Sequence, residues 1–433
     1  MRKAVAPSAF AKAMTDRKGA RTFVLLLALV IPFGVRAKIS HPELLTVTED
    51  SFTLYWETDQ ATACRVEYGG QISRRDQSEE EKDRPSLFHL LEVKGLQPGT
   101  EYFYQIKCGE EKSGPTPRSP EQLTTRALPG GKLLFSFAVM NDLHIAEEAA
   151  GLMLLPGAKK ASLTPGFKWK DPNDPYWNFT NRSAVRQINL RQPDFTIVNG
   201  DLSSWFTEDE FGIAKQMLDK LQMPYYVLRG NHDRQGAEPE DWFMKVFQLE
   251  RSYYSFEHGG FLFIGLDSVR LKDGLEEIGA EEWAWLENLL KERSSLPTFI
   301  FSHYQMGIGA PGINKNDQKR FLDLLSRNPQ VVACFYGHTH GARIVDLKVG
   351  DRSLPQIIVP TTKEYPGGFG LVRVFETGFT YNFEPLDCDE CLEWRSITMG
   401  EYFGMAPRIN GGTLQDRNLV NPFPPSIQAL FKK

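Results

Sequence analysis

Short runs in which apolar and polar residues alternate follow one another between residues 38 and 127. Such alternation is typical of strands that bury one face and expose the other. Turn residues separate the runs, as they do in proteins built from two packed β-sheets. The pattern therefore predicts an all-β sandwich over residues 38–127. Its clearest strands are Ser51–Trp56, Cys64–Tyr68, Phe88–Val93 and Glu101–Cys108.

From residue 132 onward, continuous apolar runs alternate with stretches of helical spacing, and β patterning returns over residues 342–383. Strands that alternate with helices in this way indicate a layered α/β fold. The predicted strands are Leu133–Met140, Asp194–Asn199, Pro224–Leu228, Phe261–Leu266, Phe299–Ser302 and Val331–Tyr336. The predicted helices are Ala184–Arg191, Glu208–Leu221, Glu281–Glu292 and Asp317–Ser326.

The sequence Pro129-Gly130-Gly131 interrupts both patterns, which predicts a linker between the sandwich and an α/β domain over residues 132–385. Residues 386–433 then form a C-terminal extension that carries a CxxC pair. Residues 151–178 are rich in Pro, Gly, Lys and Trp. We expect them to form a long ordered insertion, of the kind that often covers an active site.

The N-terminus carries the features of an export signal. A basic region precedes the 13-residue apolar run Phe23–Val35, and small residues at Val35 and Ala37 suit a cleavage site. This run is shorter than the roughly 20 residues that span a bilayer. We therefore predict a signal peptide over residues 1–37, cleaved near Ala37, and a secreted or periplasmic protein without a stable membrane span. An uncleaved anchor is the alternative.

Composition narrows the class of protein. Hydrophobic residues make up 41% and charged residues 24% of the 433 residues, which excludes a mostly disordered chain. The formal net charge of -5 offers no basic footprint, so no nucleic-acid binding is expected. Five cysteines leave at least one thiol free within a single chain, and Cys334 lies in an apolar run. Cys388 and Cys391 favour a local disulfide over a zinc site, because a second CxxC pair is missing from the sequence.

Side chains that bind metals follow five of the predicted strands. Because the carboxyl ends of strands in an open α/β sheet meet at one edge, we expect these side chains to converge. Imidazoles and carboxylates together suit borderline divalent ions. The residues are Asp142, His144, Asp201, Asn231, His232, Asp233, His303, His338 and His340.

The ordered blocks D-x-H, G-D, G-N-H-D, H and G-H-x-H resemble the calcineurin-like metallophosphoesterase superfamily over residues 132–385. The resemblance implies a four-layer α/β/β/α fold and two divalent or mixed-valence metal ions, whether Mn, Fe or Zn. Asp201 would bridge the two ions. Matching block to block, Asp142, His144 and His340 would hold the first ion, and Asn231, His303 and His338 the second.

The resemblance also implies a reaction, the hydrolysis of a small-molecule phosphate mono- or diester by a metal-bound hydroxide. His232 resembles the catalytic histidine of the family, and Asp233 is expected to orient His232. Tyr304 and Arg343 flank ligand positions and are candidates for contacting the phosphate or the leaving group. Asp267 follows a strand and either supports the site or forms a turn.

Three other patterns lie outside these blocks. Gly307–Gly312 matches GxGxxG but lacks the later acidic residue of a dinucleotide site, so we predict a loop beside the metal site. His41, His89 and His258 are expected at the surface or in turns.

The sandwich resembles a fibronectin type III domain, with Trp56 in the core and Tyr102 at a corner formed by residues 96–102. This resemblance would put Cys64 and Cys108 on neighbouring strands, where a disulfide is plausible. A sandwich ahead of this catalytic domain resembles the purple acid phosphatases.

Two positions depart from the purple acid phosphatase pattern. Those enzymes carry Gly at the position of His144 and a metal-binding tyrosine at the position of Ser204. His144 instead resembles the branch of cyclic-nucleotide and glycerophosphodiesterase-like enzymes. The sequence leaves open the oligomeric state and a second function, an extracellular binding or adhesion protein whose phosphoesterase domain is inert.

Overall fold

The computed structural model describes residues 37–81, 85–151, 166–308, 314–350 and 352–431. The predicted signal peptide, apart from Ala37, lies outside the described residues, as does the centre of the predicted insertion. Within the described ranges, none of the helices combines the length and the apolar character needed to cross a bilayer.

The N-terminal part is a β-sandwich, as predicted. A three-stranded sheet of order β1-β2-β5 packs against a second sheet of order β4-β3-β6-β7, in which β8 also pairs with β6. Trp56 is fully buried between the sheets, and the hydroxyl of Tyr102 accepts a hydrogen bond from the Gln97 amide at 3.0 Å. The strands are β1 Ile39–Val47, β2 Ser51–Thr62, β3 Cys64–Gly69, β4 Gln77–Glu80, β5 Ser86–Lys94, β6 Glu101–Cys108, β7 Glu111–Lys112 and β8 Gln122–Thr124.

Two six-stranded mixed sheets form the centre of the α/β part, with the orders β11-β10-β9-β18-β19-β20 and β12-β13-β14-β15-β17-β16. Parallel strands β9, β10 and β11 lie in the first sheet, and β13, β14 and β15 in the second. The strands are β9 Leu133–Met140, β10 Phe195–Asn199, β11 Tyr225–Leu228, β12 Tyr254–His258, β13 Phe261–Leu266, β14 Thr298–Ser302, β15 Val331–Tyr336, β16 Arg343–Val349, β17 Arg352–Ile358, β18 Gly368–Phe375, β19 Gly378–Pro385 and β20 Asn418–Pro422.

Helices cover the outer face of each sheet. Helices α1, α2 and α6 pack on the first sheet, whereas α4 and α5 pack on the second. Helix α2 begins at a capping box in which Thr207 and Glu210 satisfy each other's backbone amides. The helices are α1 Tyr176–Arg191, α2 Glu208–Leu218, α3 Trp242–Val246, α4 Ala280–Glu292, α5 Lys315–Arg327, α6 Asp389–Thr398, α7 Glu401–Gly404, α8 Ala406–Ile409, α9 Leu414–Arg417 and α10 Pro425–Gln428.

The alternation along the strands explains the four layers. Phe137 on β9 points to the other sheet and meets Phe263 of β13 edge-on at 5.6 Å between ring centroids. Its neighbours Ala138 and Met140 point to the helices of the first layer. Because both faces of each sheet are covered, its strands are apolar at nearly every position. The predicted α/β/β/α arrangement is confirmed.

Helix α1 is longer than the sequence predicted, because it begins at Tyr176 rather than Ala184. Its first turns carry polar residues that are typical of loops but are buried here. Thr180 donates to the Tyr176 carbonyl, and the amide of Asn181 donates to the carbonyls of Leu143 and Trp177. The predicted insertion therefore ends in a helix.

The structure forms the disulfides Cys64–Cys108 and Cys388–Cys391 and buries Cys334 as a free thiol. The prediction that His89 lies at the surface or in a turn is wrong. It is fully buried rather than exposed, stacked on Trp56 at 5.1 Å between ring centroids. Its partner is Glu81, at 2.8 Å from Nδ1.

One buried acid of the sandwich binds two arginines of the C-terminal extension. Glu43 of β1 is 2% exposed and accepts hydrogen bonds from the guanidinium groups of Arg395 at 2.6 Å and Arg417 at 2.7 Å. Arg118 forms a third ion pair with the same carboxylate. We call Glu43 and these three arginines the Glu43 cluster.

Candidate metal centre

The nine predicted metal-site and catalytic residues follow five strand ends that meet between the two sheets. Strands β9, β10 and β11 lead to Asp142 and His144, to Asp201, and to a single 3-10 turn over Asn231–Asp233. Strands β14 and β15 lead to His303 and to the loop with His338 and His340. The side chains predicted as ligands come together in two groups, and Asp201, a member of the second group, also lies close to the first.

Asp142, His144 and His340 form the first group. One ligand atom from each lies within 4.8 Å of the other two. The Nε2 atom of His340 is 3.5 Å from Oδ1 of Asp142. His144 is 2% exposed, yet neither of its ring nitrogens has a hydrogen-bond partner among the described residues.

The second group contains Asp201, His303 and His338, again within 4.8 Å. Asn231 completes it, since its Oδ1 atom lies 2.8 Å from Nδ1 of His338 and 3.1 Å from Nε2 of His303. Asp201 lies between the groups: its Oδ2 atom is 3.3 Å from Nε2 of His303 and 3.5 Å from Nε2 of His144. This is the position expected of a bridging ligand.

The backbone at the site is held in an unusual conformation. Five of the seven predicted ligands have positive φ angles, where non-glycine residues are rare. Each such residue costs on the order of 1–3 kcal/mol and is maintained only by its surroundings. Strain of this kind is concentrated at functional sites. The five are Asp142 at 54°, His144 at 45°, Asp201 at 52°, His338 at 71° and His340 at 59°.

Close approach explains the glycine of the G-N-H-D block. A Cβ atom on Gly230 would lie 2.1 Å from the backbone nitrogen of Asp201 and 2.2 Å from its Oδ1 atom. The same carboxylate oxygen accepts a hydrogen bond from the His232 amide at 2.8 Å. A larger residue at position 230 would push the bridging carboxylate out of place.

Hydrogen bonds behind two histidines set which ring nitrogen faces the site. Nδ1 of His303 lies 3.0 Å from the Asn199 carbonyl, and Nδ1 of His340 lies 2.7 Å from Oε1 of Glu364. With Nδ1 protonated, Nε2 of each ring keeps its lone pair for a cation. Such partners also make the imidazole a better donor.

The charges of the site favour a bound cation. Burial disfavours charge on His303, but Asp201 and Asp142 outweigh it and raise the pKa of His303 to about 9. Burial and the neighbouring His303 lower the pKa of His338 to about 3. Burial opposes charge on Asp201, yet His303 and His232 hold its pKa well below the ordinary value. A metal ion can replace the proton that the Asp201–His303 pair otherwise shares.

The residues fit a metal centre, because both groups contain imidazole and carboxylate ligands, Asp201 lies close to both groups, and both ring nitrogens of His144 have no hydrogen-bond partner among the described residues. A further group of side chains at this site, which overlaps the two described above, could also hold an ion. His232 also comes within 4.8 Å of His144 and Asp201, counting one ligand atom from each. Its imidazole is partly exposed, and its ring centroid is 4.7 Å from that of His144.

The expected partnership of Asp233 with the His232 ring is wrong. The ring nitrogen Nδ1 of His232 instead lies 3.0 Å from the Ser204 carbonyl. The Asp233 carboxylate accepts hydrogen bonds from the amides of Leu202, Ser203 and Gly230. Asp233 therefore positions the loop that carries Asp201, because its nearest donors are backbone amides rather than the imidazole.

The flanking candidates have different surroundings. Tyr304 places its ring 4.4 Å from that of His338, but its hydroxyl donates to the Gly274 carbonyl at 2.6 Å. Arg343 is exposed at the start of β16. Asp267 supports the site through Arg229, which it binds at 3.0 Å and which donates to the Asp233 carbonyl at 2.8 Å. Most of the GxGxxG segment, residues 309–312, lies outside the described residues.

Three supporting residues were not predicted: Glu364, Asn199 and Arg229. Asn199 ends a predicted strand, so its carbonyl could have been placed at the sheet edge. Glu364 is 24 positions from His340. The only signal for it was a charged pair, Lys363 and Glu364, following the apolar run Ile357–Val359.

The chain is similar to several phosphoesterases. Residues 135–342 match the family model described as calcineurin-like phosphoesterase. A probable glycerophosphodiester phosphodiesterase GpdQ of Arcobacter nitrofigilis is 29% identical over 163 residues, 35% of this chain and 59% of that protein. A probable purple acid phosphatase 20 of Arabidopsis thaliana is 26% identical over 329 residues, 68% of this chain and 66% of that protein.

The chain thus spans about 60% of the length of the first of these relatives. Among solved structures, a dimetal phosphatase from Danio rerio is 13% identical and has a TM-score of 0.48. That comparison covers 68% of this chain and 100% of the other.

Proposed function

We propose that this protein is a metal-dependent hydrolase of phosphate mono- or diesters with a dinuclear centre. The match of residues 135–342 to the family model described as calcineurin-like phosphoesterase supports the proposal. The observation that carries the proposal is the position of Asp201, whose one carboxylate oxygen faces both ligand groups at 3.3 and 3.5 Å. Metal ions, when bound, would lower the pKa of a water and offset charge on the phosphoryl oxygens.

The protein's own groups then have distinct tasks. Asp201 supplies a shared negative charge that holds the two groups together. His232 donates from Nδ1 to the Ser204 carbonyl, so its Nε2 atom is the nitrogen available to a substrate. As a general acid, Nε2 would protonate the leaving oxygen; as a hydrogen-bond donor, it would stabilise the phosphoryl group. Asp233 keeps the Asp201 loop in position.

The ligand chemistry suits Mn, Fe or Zn. We propose that the centre lacks the visible absorption that a tyrosinate ligand to iron produces. A tyrosine ligand gives the purple enzymes their absorption, and Ser204 stands at that position. Strong visible absorption of the metal-loaded protein would contradict this part of the proposal.

We further propose that the protein acts outside the cytoplasm, after removal of residues 1–37. Two disulfides within the described chain support this, because such bonds persist mainly in oxidising compartments. N-terminal sequencing of the protein recovered from the secreted or periplasmic fraction tests it. A chain that keeps Phe23–Val35 would indicate the uncleaved anchor.

The test of the activity is metal-dependent turnover. Full-length protein stripped by a chelator should lose hydrolysis of phenyl phosphate and bis(p-nitrophenyl) phosphate, and Mn²⁺ should restore it. Asp201→Asn is the control for contaminating phosphatases, and Glu67→Gln, a surface change in the sandwich, should keep full activity. If the metal-loaded protein binds two ions but hydrolyses neither ester, the alternative of an inert domain in a binding protein is favoured.

A further inference from the structure

A cavity of about 660 Å³ lies beside the loop that carries the last two predicted ligands. Thr339, between His338 and His340, forms part of its wall, as does Gly341, the next residue after His340. Residues 407–410 of the C-terminal extension contribute further wall. The cavity therefore borders the loop that carries His338 and His340, although neither histidine lines it, and it depends on a segment outside the family-matched range 135–342.

Two cationic side chains in this wall form no ion pair with a described residue. Arg343 and Arg408 are both exposed, and neither forms an ion pair among the residues that the structure describes. A third arginine of the wall, Arg118, is already paired with Glu43. One carboxylate also lines the cavity, that of Asp416, and its oxygens accept hydrogen bonds from the amides of Ile344 at 3.0 Å and Thr413 at 2.8 Å.

The remaining wall is partly apolar, with Ala342, Ile358 and the exposed Ile409. Guanidinium groups pair with carboxylates and phosphates through parallel hydrogen bonds. Arg343 and Arg408, together with this apolar wall, therefore suit an organic molecule that carries an anionic group on an apolar framework. Thr339, in the cavity wall, lies between the predicted metal ligands His338 and His340. A substrate whose phosphoryl group is bound at the metal centre would therefore extend its leaving group into this cavity.

We propose that this cavity binds the leaving-group side of the substrate and selects phosphate esters whose leaving group carries a second anionic group on an apolar frame. Arg343 and Arg408 bind the second anion. The inference rests on the proposed phosphoesterase function and adds a substrate class to it.

Equilibrium binding tests the proposal without requiring turnover. The full-length protein loaded with Mn²⁺ is titrated by calorimetry with 3- and 4-carboxybenzylphosphonate and with the neutral carboxamide analogue of each. We expect at least one carboxylate to bind about tenfold more tightly than its carboxamide, the scale of one charge-assisted hydrogen bond. Arg343→Gln and Arg408→Gln should each reduce this preference, and the double variant should abolish it.

Lys348→Gln is the matched control, because Lys348 is an exposed cation on the same strand as Arg343. Five residues of extended chain place it about 17 Å away, outside the cavity wall. It should keep the wild-type preference. Equal binding of both carboxylates and their carboxamides, or a preference that survives the double arginine variant, would overturn the proposal.

Hydrolysis of phenyl phosphate, measured in parallel, separates this inference from the proposed function. Turnover of phenyl phosphate without any preference for carboxylates refutes only the cavity assignment. Absence of turnover together with a preference that depends on both arginines refutes the catalytic proposal and leaves the anion site.

Discussion

Replacement of Glu43 by Gln should strongly destabilise the protein, because the Glu43 cluster contains three positive charges and one negative charge. The variant keeps the size of the side chain and one hydrogen-bond acceptor but removes the only carboxylate of the cluster. Arg395 and Arg417 have side chains that are 5% and 2% exposed, so solvent cannot replace the lost countercharge. Arg118, at 29% exposed, is partly solvated.

Removing one partner from a buried ion pair typically costs about 3–5 kcal/mol, and we expect a loss of that size. Glu67 is the matched control. It pairs with Arg65 and Lys107 on the sandwich surface, where side chains are 41% and 18% exposed and ion pairs contribute about 0–1 kcal/mol. Glu67→Gln should therefore change the stability little.

Urea unfolding followed by tryptophan fluorescence measures both variants. With a slope of about 3 kcal/mol/M, the midpoint of Glu43→Gln should fall by about 1–1.7 M, whereas that of Glu67→Gln should hardly move. Equal shifts of the two variants would refute the reasoning from burial and charge.

The pH dependence gives a second test of the Glu43 cluster. Burial opposes ionisation of Glu43, but Arg417, Arg395 and Arg118 outweigh it and hold its pKa far below the ordinary value of 4.5. The folded state thus favours the carboxylate, and its contribution is complete above pH 4.5 and declines as the pH falls below that value. The difference in free energy of unfolding between the wild type and Glu43→Gln should therefore become smaller as the pH falls below 4.5.

Three further predictions concern the metal centre. Asp201→Asn should remove nearly all activity and lower the metal content measured by mass spectrometry, because both ligand groups lose their shared charge; near-wild-type turnover would show that it is not the bridge. His232→Ala should keep both ions and slow hydrolysis about 10²–10⁴-fold, more for alkyl than for nitrophenyl esters if His232 is the general acid; loss of an ion would make His232 a ligand. Glu364→Gln should weaken metal binding at the first group about 10–100-fold in calorimetry, since it removes the carboxylate behind His340; unchanged affinity would show that Glu364 does not tune this ligand.

The sequence predicted best those features that depend on a single run of residues. The predicted bounds of β9 and β15 agree with the structure, because strands buried on both faces are continuous apolar runs with polar ends. The same pattern and the ordered blocks predicted that the candidate ligands converge, and the structure brings these side chains together. Local patterns also indicated the sandwich, through its alternating strands.

Several features that depend on distant contacts were not predicted. The start of α1 was missed because its polar residues find partners elsewhere, as Asn181 does at Leu143. The role of Asp233 was misassigned for a similar reason: adjacency to His232 suggested a partner, whereas the chain turns the carboxylate towards the amides of residues 202 and 203. Glu364 reaches His340 only because β17 leads its loop back to the site.

The C-terminal extension forms part of the α/β domain through such contacts. The sequence separates residues 386–433 from the α/β pattern, yet β20 pairs with β19 and completes the first sheet. The Asn410 carbonyl accepts a hydrogen bond from the Ala342 amide at 2.7 Å, and a Cβ atom on Gly341 would lie 3.0 Å from Cα of Asn410. The extension therefore packs directly against the residues that follow His340. Since Arg395 and Arg417 of the same extension bind Glu43, the extension contacts both the sandwich and the loop that carries His340, a predicted metal ligand.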